Sequence, residues 1–127
     1  MVMENLYKID ISVATEYLEY QSIPNMNKYA FSYKITIKNL GKIPAKLISR
    51  HWIITDANDN TEEVKGLGVI GEQPRLRTNE FFTYTSGTII STPIGTMHGT
   101  YQMIADNGYQ FDAKIPMFSL KVPKILN

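Results

Sequence analysis

The strongest constraint on the fold is a strict alternation of apolar and polar residues between Lys28 and Lys38. Large apolar residues occupy every second position from Tyr29 to Ile37, and the positions between them carry Ala, Ser, Lys and Thr. Side chains along a β-strand point to opposite faces in turn. The pattern therefore predicts a strand with one apolar face and one solvated face.

Similar but less regular runs predict the remaining strands. Asp106-Asn107-Gly108 predicts a hairpin with a type I′ turn, because Asn-Gly accepts the positive φ that this turn needs. The prolines are expected at strand ends or in loops, where their missing N–H is tolerated. The predicted strands lie at 7–18, 28–38, 45–55, 61–65, 81–90, 96–105 and 109–115, with turns at 39–42 and 56–60.

No window of about 11 residues has the spacing of a helix. Seven or eight short strands in 127 residues predict an all-β fold. The architecture we expect is an antiparallel β-sandwich of the immunoglobulin or fibronectin type III kind. We expect one domain over residues 1–127, with Trp52 as the central aromatic residue of its core.

Composition excludes several classes of function. The chain has 13 Lys and Arg against 12 Asp and Glu, which gives a formal charge of +1. Duplex nucleic acid needs a clustered basic excess, so it is not expected as the main partner. The chain contains no Cys, which excludes disulfides, thiol catalysis and cysteine zinc sites. No apolar run fits a signal peptide or a membrane span, so we expect a cytoplasmic protein without membrane insertion.

The segment Gly66–Gly71 reads GLGVIG and matches the glycine pattern of dinucleotide-binding folds. That pattern needs a helix directly behind it, and Pro74 disfavours one. The acidic residue expected about 20 residues further on is also missing. Two interpretations stay open: a corner of the sandwich that needs glycine, or an amide nest that binds an anion. The candidate anion loop consists of Gly66, Gly68, Gly71, Arg75 and Arg77.

Two further patterns imitate metal sites. The segment 56–61 resembles the start of a calcium loop, but Thr61 and Leu67 stand where that loop needs Gly and a bidentate Glu. A hairpin turn is the better interpretation. His51 and His98 are the only histidines, too few for a zinc site without carboxylates. We therefore predict no metal, no cofactor, no catalytic residue and no enzymatic activity.

The stretch from Phe81 to Ala105 contains no charged residue. Exposed strands usually carry charges that discourage edge pairing. One interpretation is a pair of central strands covered on both faces. The other is an interaction face for a protein partner or for a second copy of the chain. The candidate partner-binding residues are Thr83, Thr85 and Ser86.

Several separated strings occur along the chain: SRHWII at 49–54, GLGVIGEQP at 66–74, YTSG at 84–87, TPIGTM at 92–97 and IPMF at 115–118. Their order resembles the ApaG family, and the resemblance covers residues from about Tyr7 to Asn127. The chain departs from the family at Leu67, often acidic there, and at Thr78-Asn79, often Pro-Gly. The resemblance implies a fibronectin type III-like sandwich. It also implies an association with cobalt tolerance and magnesium efflux, and a likeness to partner-binding domains of eukaryotic proteins.

The sequence leads to two main predictions of function, and a third, direct Co²⁺ or Mg²⁺ binding through carboxylates and His51 or His98, ranks last. The first is a non-enzymatic β-sandwich that binds an unidentified protein partner and affects divalent-cation homeostasis indirectly. The alternative is a small-molecule binder that holds pyrophosphate or a nucleotide polyphosphate in the Gly66–Gly71 loop, assisted by Arg75 or Arg77. The first prediction follows from the long uncharged β segment and from the lack of convergent catalytic groups.

Overall fold

The computed structural model describes residues 5–123, which form eight β-strands and two short 3₁₀ turns. The predicted domain boundaries, residues 1 and 127, lie outside the described residues. No helix within 5–123 is long and apolar enough to cross a membrane. The turns are Glu19–Gln21 and Pro24–Met26, and the strands are β1 Ile9–Tyr17, β2 Tyr29–Asn39, β3 Ala45–Asp56, β4 Thr61–Leu67, β5 Arg75–Leu76, β6 Phe81–Ile90, β7 Ile94–Ala105 and β8 Gln110–Lys121.

The strands form two antiparallel sheets that pack face to face. The smaller sheet has the order β1-β2-β6, and the larger has the order β4-β3-β7-β8. The two-residue strand β5 pairs with the start of β3 on the same side as β4. At one side of the sandwich, β1 packs against β8. The predicted antiparallel sandwich of the immunoglobulin or fibronectin type III kind is confirmed.

The core lies between the sheets and is built from the inward-facing positions of each strand. Along β2 these are the apolar positions of the alternating pattern, and Ile35 and Ile37 are fully buried. Trp52 is 2% exposed, and its ring lies 5.4 Å from that of Tyr33 and 5.9 Å from that of Phe118. The prediction of Trp52 as the central core aromatic is confirmed. Aromatic pairs at such distances add to the free energy gained from their burial.

The hairpin between β7 and β8 is confirmed, but its predicted type I′ turn is wrong. The Ala105 N–H donates to the Tyr109 carbonyl over 2.8 Å and closes a three-residue loop. Gly108 donates to the Ala105 carbonyl, and within the loop only Gly108 has a positive φ, at 88°. A type I′ turn needs positive φ at two central residues of a two-residue loop. The geometry here is a type I turn followed by a left-handed glycine.

Pro116 departs from the prediction that prolines lie at strand ends or in loops, because it lies inside β8. Its missing N–H is tolerated there for two reasons. β8 is an edge strand, and its register against β7 shifts between Met97 and Gly99, opposite Pro116. Edges and bulges are the places where a sheet accepts proline.

The uncharged stretch is divided between two different environments. β7 lies between β3 and β8, so its central position agrees with the first interpretation. β6 pairs with β2 on one side only and forms an edge of the smaller sheet within the described part of the chain. The interpretation as two central strands is therefore wrong for β6. Ten uncharged residues stand at an edge instead of in the middle of a sheet.

Candidate functional site

The candidate site is the edge of β6 that faces away from β2, called here the β6 edge. All ten residues of β6 pair with β2 in unbroken register, so no bulge twists this edge out of line. Phe81 and Ile89, which face outward at its two ends, are 65% and 56% exposed. The backbone N–H and C=O groups that alternate along such an edge are able to pair with another extended chain.

The structure divides the predicted partner-binding residues between two faces. Thr83 and Thr85 lie on the outer face of the smaller sheet, and the Thr83 Oγ1 lies 3.1 Å from the Thr36 Oγ1. Thr85 is exposed. Ser86 alternates with them and lies on the inner face, in phase with the buried Tyr84. Two of the three hydroxyls therefore share a surface, and the third points toward the other sheet.

Below the β6 edge, the inner face of β4 forms what we call the β4 shelf, made of Glu62, Val64 and Gly66. These residues pair with Ile54, Trp52 and Arg50 of β3, and because Trp52 and Ile54 face the core, the shelf faces the same way. Between residues 5 and 123, a sheet of three strands faces a sheet that is four strands wide. Because β1 packs against β8 at one side of the sandwich, the smaller sheet ends one strand short at the other side. Strand β4 therefore extends beyond β6 there. Glu62 is exposed and Val64 only half-buried, as an overhang requires.

Arg50 lies over the β4 shelf and gives the shelf a positive charge. Its Nη1 donates to the carbonyls of Leu67 and Gly68, over 2.9 and 2.8 Å. The guanidinium covers the Cα of Gly66, where an added Cβ would lie 2.9 Å from it. Within residues 5–123, Arg50 forms no ion pair with a carboxylate. The result is a half-buried cation held in place by backbone carbonyls, with its charge uncompensated by any described side chain.

Two tyrosines join the β6 edge to the larger sheet beside Arg50. The hydroxyls of Tyr84 on β6 and Tyr101 on β7 share a buried hydrogen bond of 2.5 Å. Burial raises the pKa of Tyr84 to about 12, and burial also raises the pKa of Tyr101 well above its ordinary value. The positive charge of Arg50 opposes both shifts, which places it near both rings. Both hydroxyls are therefore neutral at physiological pH and hold β6 in position.

Two cavities lie between β6 and the larger sheet, one near each end of β6. Near Phe81 a cavity of about 510 Å³ is lined by Phe81 and Phe82 of β6 together with Arg75 and Leu76 of β5. Near Ile90 a cavity of about 220 Å³ is lined by β6 residues together with residues 54–62. A cavity therefore lies at each end of β6, and Glu62 of the β4 shelf lines the one near Ile90.

The glycine loop confirms the absence of a helix after Gly71. The chain forms a tight turn in which Val69 and Glu72 exchange backbone hydrogen bonds, and β5 follows. Gly68 has a φ of 61°, and a Cβ there would lie 2.3 Å from the Glu72 carbonyl oxygen, so this position requires glycine. Val69 is fully buried in the core. The loop therefore acts as the sandwich corner that was one of its two interpretations.

The interpretation of this loop as an anion site stays a prediction, and the structure shows where its members lie. The Gly68 N–H donates to the Ile48 carbonyl, and Gly71 is at the turn with a φ of 79°. Arg75 forms a two-pronged ion pair with Asp106, and the Arg75 hydrogen bonds lower the pKa of that carboxyl. Arg77 lies 3.4 Å from a Glu80 carboxylate oxygen. Both predicted arginines are thus already paired with carboxylates.

The two histidines lie close together on the outer face of the larger sheet. His51 pairs with Thr100, and His98 pairs with Ile53, two residues further along the same two strands and on the same face. The His51 Nε2 lies 2.7 Å from a Glu63 carboxylate oxygen, and this hydrogen bond lowers the pKa of Glu63. No group of three or more His, Asp or Glu residues that could hold a metal occurs between residues 5 and 123. The segment 56–60 forms the predicted hairpin turn.

Sequence reasoning missed Arg50, although a signal for its orientation exists. Leu47 and Trp52 are five positions apart, so in a regular strand they would face opposite sides. Both are buried in the core because the register between β3 and β7 shifts between Leu47 and Ser49. That bulge reverses the alternation and turns Arg50 inward. Two apolar residues at an odd spacing are therefore the signal that could have found it.

Comparison with known proteins gives consistent results. A family model described as ApaG domain matches residues 19–105. Protein ApaG of Thiobacillus denitrificans is 57% identical over 121 residues, which cover 95% of each chain. Protein ApaG of Pseudomonas syringae pv. tomato is 50% identical over 124 residues, 98% of each chain. A crystal structure described as an ApaA protein from Bordetella pertussis superposes with a TM-score of 0.90 at 47% identity, covering 94% of this chain and 97% of that chain.

Proposed function

The chain belongs to the ApaG domain family, and from that premise we propose that it is a non-enzymatic binding module for a protein partner. The partner supplies an extended segment that adds to the smaller sheet along the β6 edge. In strand addition, main-chain hydrogen bonds provide much of the affinity, and pockets for alternate side chains provide specificity. The β6 edge offers the first, and the cleft over the β4 shelf offers the second.

One observation carries the proposal: among the four outer strands β1, β4, β6 and β8, only β6 lacks a charged residue. Charges, prolines and bulges are the usual means by which proteins prevent edge pairing. β8 has all three. The uncharged, regular edge of β6 lacks these means over ten residues. A sequence that protects its other edges and leaves this one open supports a role in pairing.

The association with cobalt tolerance and magnesium efflux, which the resemblance implies, would in this proposal be a property of the partner. The module would affect cation homeostasis by binding a protein that handles the ions. The alternative, a polyphosphate site in the Gly66–Gly71 loop, receives less support because Arg75 and Arg77 are paired with Asp106 and Glu80. Titration calorimetry with pyrophosphate remains its direct test.

The proposal is tested by placing a charge in the middle of the β6 edge. Thr85→Lys introduces a solvated cation at an exposed position, where it would discourage a second strand without disturbing the core. We expect wild-type protein to recover a stoichiometric partner from native lysate, and Thr85→Lys to lose it. Hydrogen exchange of the recovered complex should show the amides of β6 protected by the partner.

Ser119→Lys is the matched control. Ser119 is an exposed hydroxyl residue on the edge strand β8 of the other sheet. The same change of charge at an edge should there leave the partner bound. If Thr85→Lys is folded and recovers the same partner as the wild type, the β6 edge is not the binding surface.

A further inference from the structure

The β4 shelf, with Arg50 above Gly66, carries a charge pattern that specifies which segment fits over it. Resting on the proposed function, we propose that the partner segment places an acidic side chain over Arg50, an apolar one over Val64 and a basic one over Glu62. These three inward-facing residues stand at alternate positions of the segment. The partner is therefore an extended strand of the form acidic-x-apolar-x-basic, in one chain direction or the other.

The spacing follows from the register of the larger sheet. Arg50 lies over Gly66, and Gly66, Val64 and Glu62 are alternate residues of β4 on one face. Alternate residues of a strand repeat about every 6.6 to 6.8 Å. A strand added beside β6 would cross above the β4 shelf at the sheet-to-sheet distance of about 10 Å, and its inward side chains would have the same repeat. Three contacts at matching intervals are thus available.

The two ends of the β4 shelf carry opposite charges. Arg50 donates to two carbonyls through Nη1, and no described carboxylate pairs with it. Glu62 likewise appears in no ion pair of the described residues. Its outward neighbours on the same strand, Glu63 and Lys65, do pair with each other. The β4 shelf therefore has a cation and an anion four strand positions apart. Neither has a described partner of opposite charge, so a segment with complementary charges would fit.

A second copy of this chain does not meet that requirement. Its β6 strand would present Phe82, Tyr84, Ser86, Thr88 and Ile90 on the inner face, without any charge for Arg50 or Glu62. Pairing of two β6 edges about a two-fold axis would also bring the two overhanging β4 strands into the same space. A segment of different sequence is the occupant that the β4 shelf fits.

A displayed library of random ten-residue segments provides the test, with the purified full chain as the target. Wild type should select segments rich in β-branched residues with an acidic and a basic residue four positions apart. Arg50→Gln should lose the acidic preference, and Glu62→Gln should lose the basic one. Lys65→Gln and Glu63→Gln, which change the same charges on the opposite face of β4, should select the wild-type pattern.

A single selected peptide then gives the magnitude. Replacing its acidic residue by the amide should weaken binding to wild type about tenfold, since hydrogen bonds to charged groups are among the stronger polar contacts. The same replacement should change binding to Arg50→Gln less than about twofold. Arg50→Lys keeps the charge and should keep the acidic preference, which separates recognition from any loss of folding in Arg50→Gln.

The outcomes distinguish this inference from the proposed function. Two results would overturn the inference and leave the β6 edge as a binding site. In both, Thr85→Lys no longer binds the segments that the wild type selects. In the first, those segments show no charge pattern, and in the second, Arg50→Gln selects the same charge pattern as the wild type. If selection on Thr85→Lys yields the same segments as on wild type, the β6 edge is not used and the proposed function fails. A charge pattern that disappears on Lys65→Gln would place recognition on the outer face and overturn the inference.

Discussion

The edge strands β6 and β8 differ in the features that prevent pairing with another chain. β8 carries Asp112, Lys114 and Lys121, contains Pro116 and shifts register opposite that proline. β6 is nearly as long, but it is uncharged, without proline and in unbroken register with β2. Both strands pack on the same core, so burial does not explain the difference. β8 therefore carries the features that discourage edge pairing, and β6 lacks them.

This difference indicates that the specificity of binding at β6 would have to come from side chains and not from the backbone of the edge. A bare edge would accept many extended chains, because backbone groups are the same in all of them. At β6 the overhanging β4 strand supplies side chains below the edge, so a segment has to satisfy both the backbone and the β4 shelf. At β8 no such demand arises, since its charges keep other strands away.

The largest effect on stability is expected from a comparison of two glycines, one opposite the register shift of β8 and one on β6. Gly99 lies at the register shift opposite β8, and a Cβ there would lie 2.0 Å from the His51 carbonyl oxygen. Gly87 lies on β6, and its nearest such distance is 3.2 Å. Gly99→Ala should lower the free energy of unfolding by about 3 kcal/mol, and Gly87→Ala should change it by less than about 1 kcal/mol. Urea unfolding of both variants checks this, and equal losses would contradict it.

The second prediction concerns the attachment of β6 to the larger sheet. Tyr84→Phe leaves the buried Tyr101 hydroxyl without its partner and should cost about 1–3 kcal/mol. The double variant Tyr84→Phe/Tyr101→Phe removes both hydroxyls and should be closer to wild type than the single variant. Thermal unfolding of the three proteins gives the comparison. A double variant less stable than the single one would show that the hydroxyl pair contributes more than its burial costs.

The same pair predicts a pH dependence. The pKa of Tyr84 rises from about 10 in the unfolded chain to about 12 in the folded protein, so the folded state holds this proton more tightly. Its contribution to stability is complete below pH 10 and is lost as the pH rises from about 10 through 12. Urea unfolding at pH 9 and pH 11 should show a smaller loss for the double Phe variant than for the wild type.

The fourth prediction concerns a variant that makes β8 an edge more like β6. The triple variant Asp112→Thr/Lys114→Thr/Pro116→Thr removes two charges and the proline from exposed positions. We expect concentration-dependent self-association, because the edge is then free to pair, while wild type and Thr85→Lys show none through β8. Analytical ultracentrifugation measures this. A triple variant that stays monomeric at high concentration would show that the register shift and the remaining Lys121 are enough to protect β8.

The smallest effect is expected at the turn across the cleft from β6. Ile70 is 58% exposed and has a φ of 44°, a conformation that a β-branched residue rarely adopts. Ile70-Gly71 forms a two-residue turn with positive φ at both positions, for which Asn-Gly is favoured. Ile70→Asn should therefore raise the free energy of unfolding by roughly 1 kcal/mol. A thermal shift downward would mean that the Ile70 side chain makes a stabilising contact.

Most of the fold could be predicted from the sequence because alternation directly reports which face of a strand is buried. The pattern at Tyr29–Ile37 located β2 almost to the residue. β5 escaped prediction because two residues carry no period, and the β7–β8 turn was mistaken because loop length decides the turn type as much as Asn-Gly does. These features depend on what lies across the sheet, which a local pattern does not contain.

The site was predictable only in part, for the same reason. An uncharged strand is visible in the sequence, and Thr83 and Thr85 lie on it. That β6 is an edge, and that β4 extends beyond it, follows from strand order, which no single segment specifies. Arg50 faces inward because of one extra residue at the Leu47–Ser49 bulge. A change of one position in register moves a side chain to the opposite face of a sheet.

The unequal width of the two layers has a thermodynamic consequence. With a bound segment beside β6, both layers would be four strands wide, and the segment would cover Val64 and the half-buried side of Ser86. The partner would then belong to the same cooperative unit as the module, so melting the module and releasing the partner would be a single event. Occupancy would therefore be readable as a rise in melting temperature that grows with the concentration of the segment.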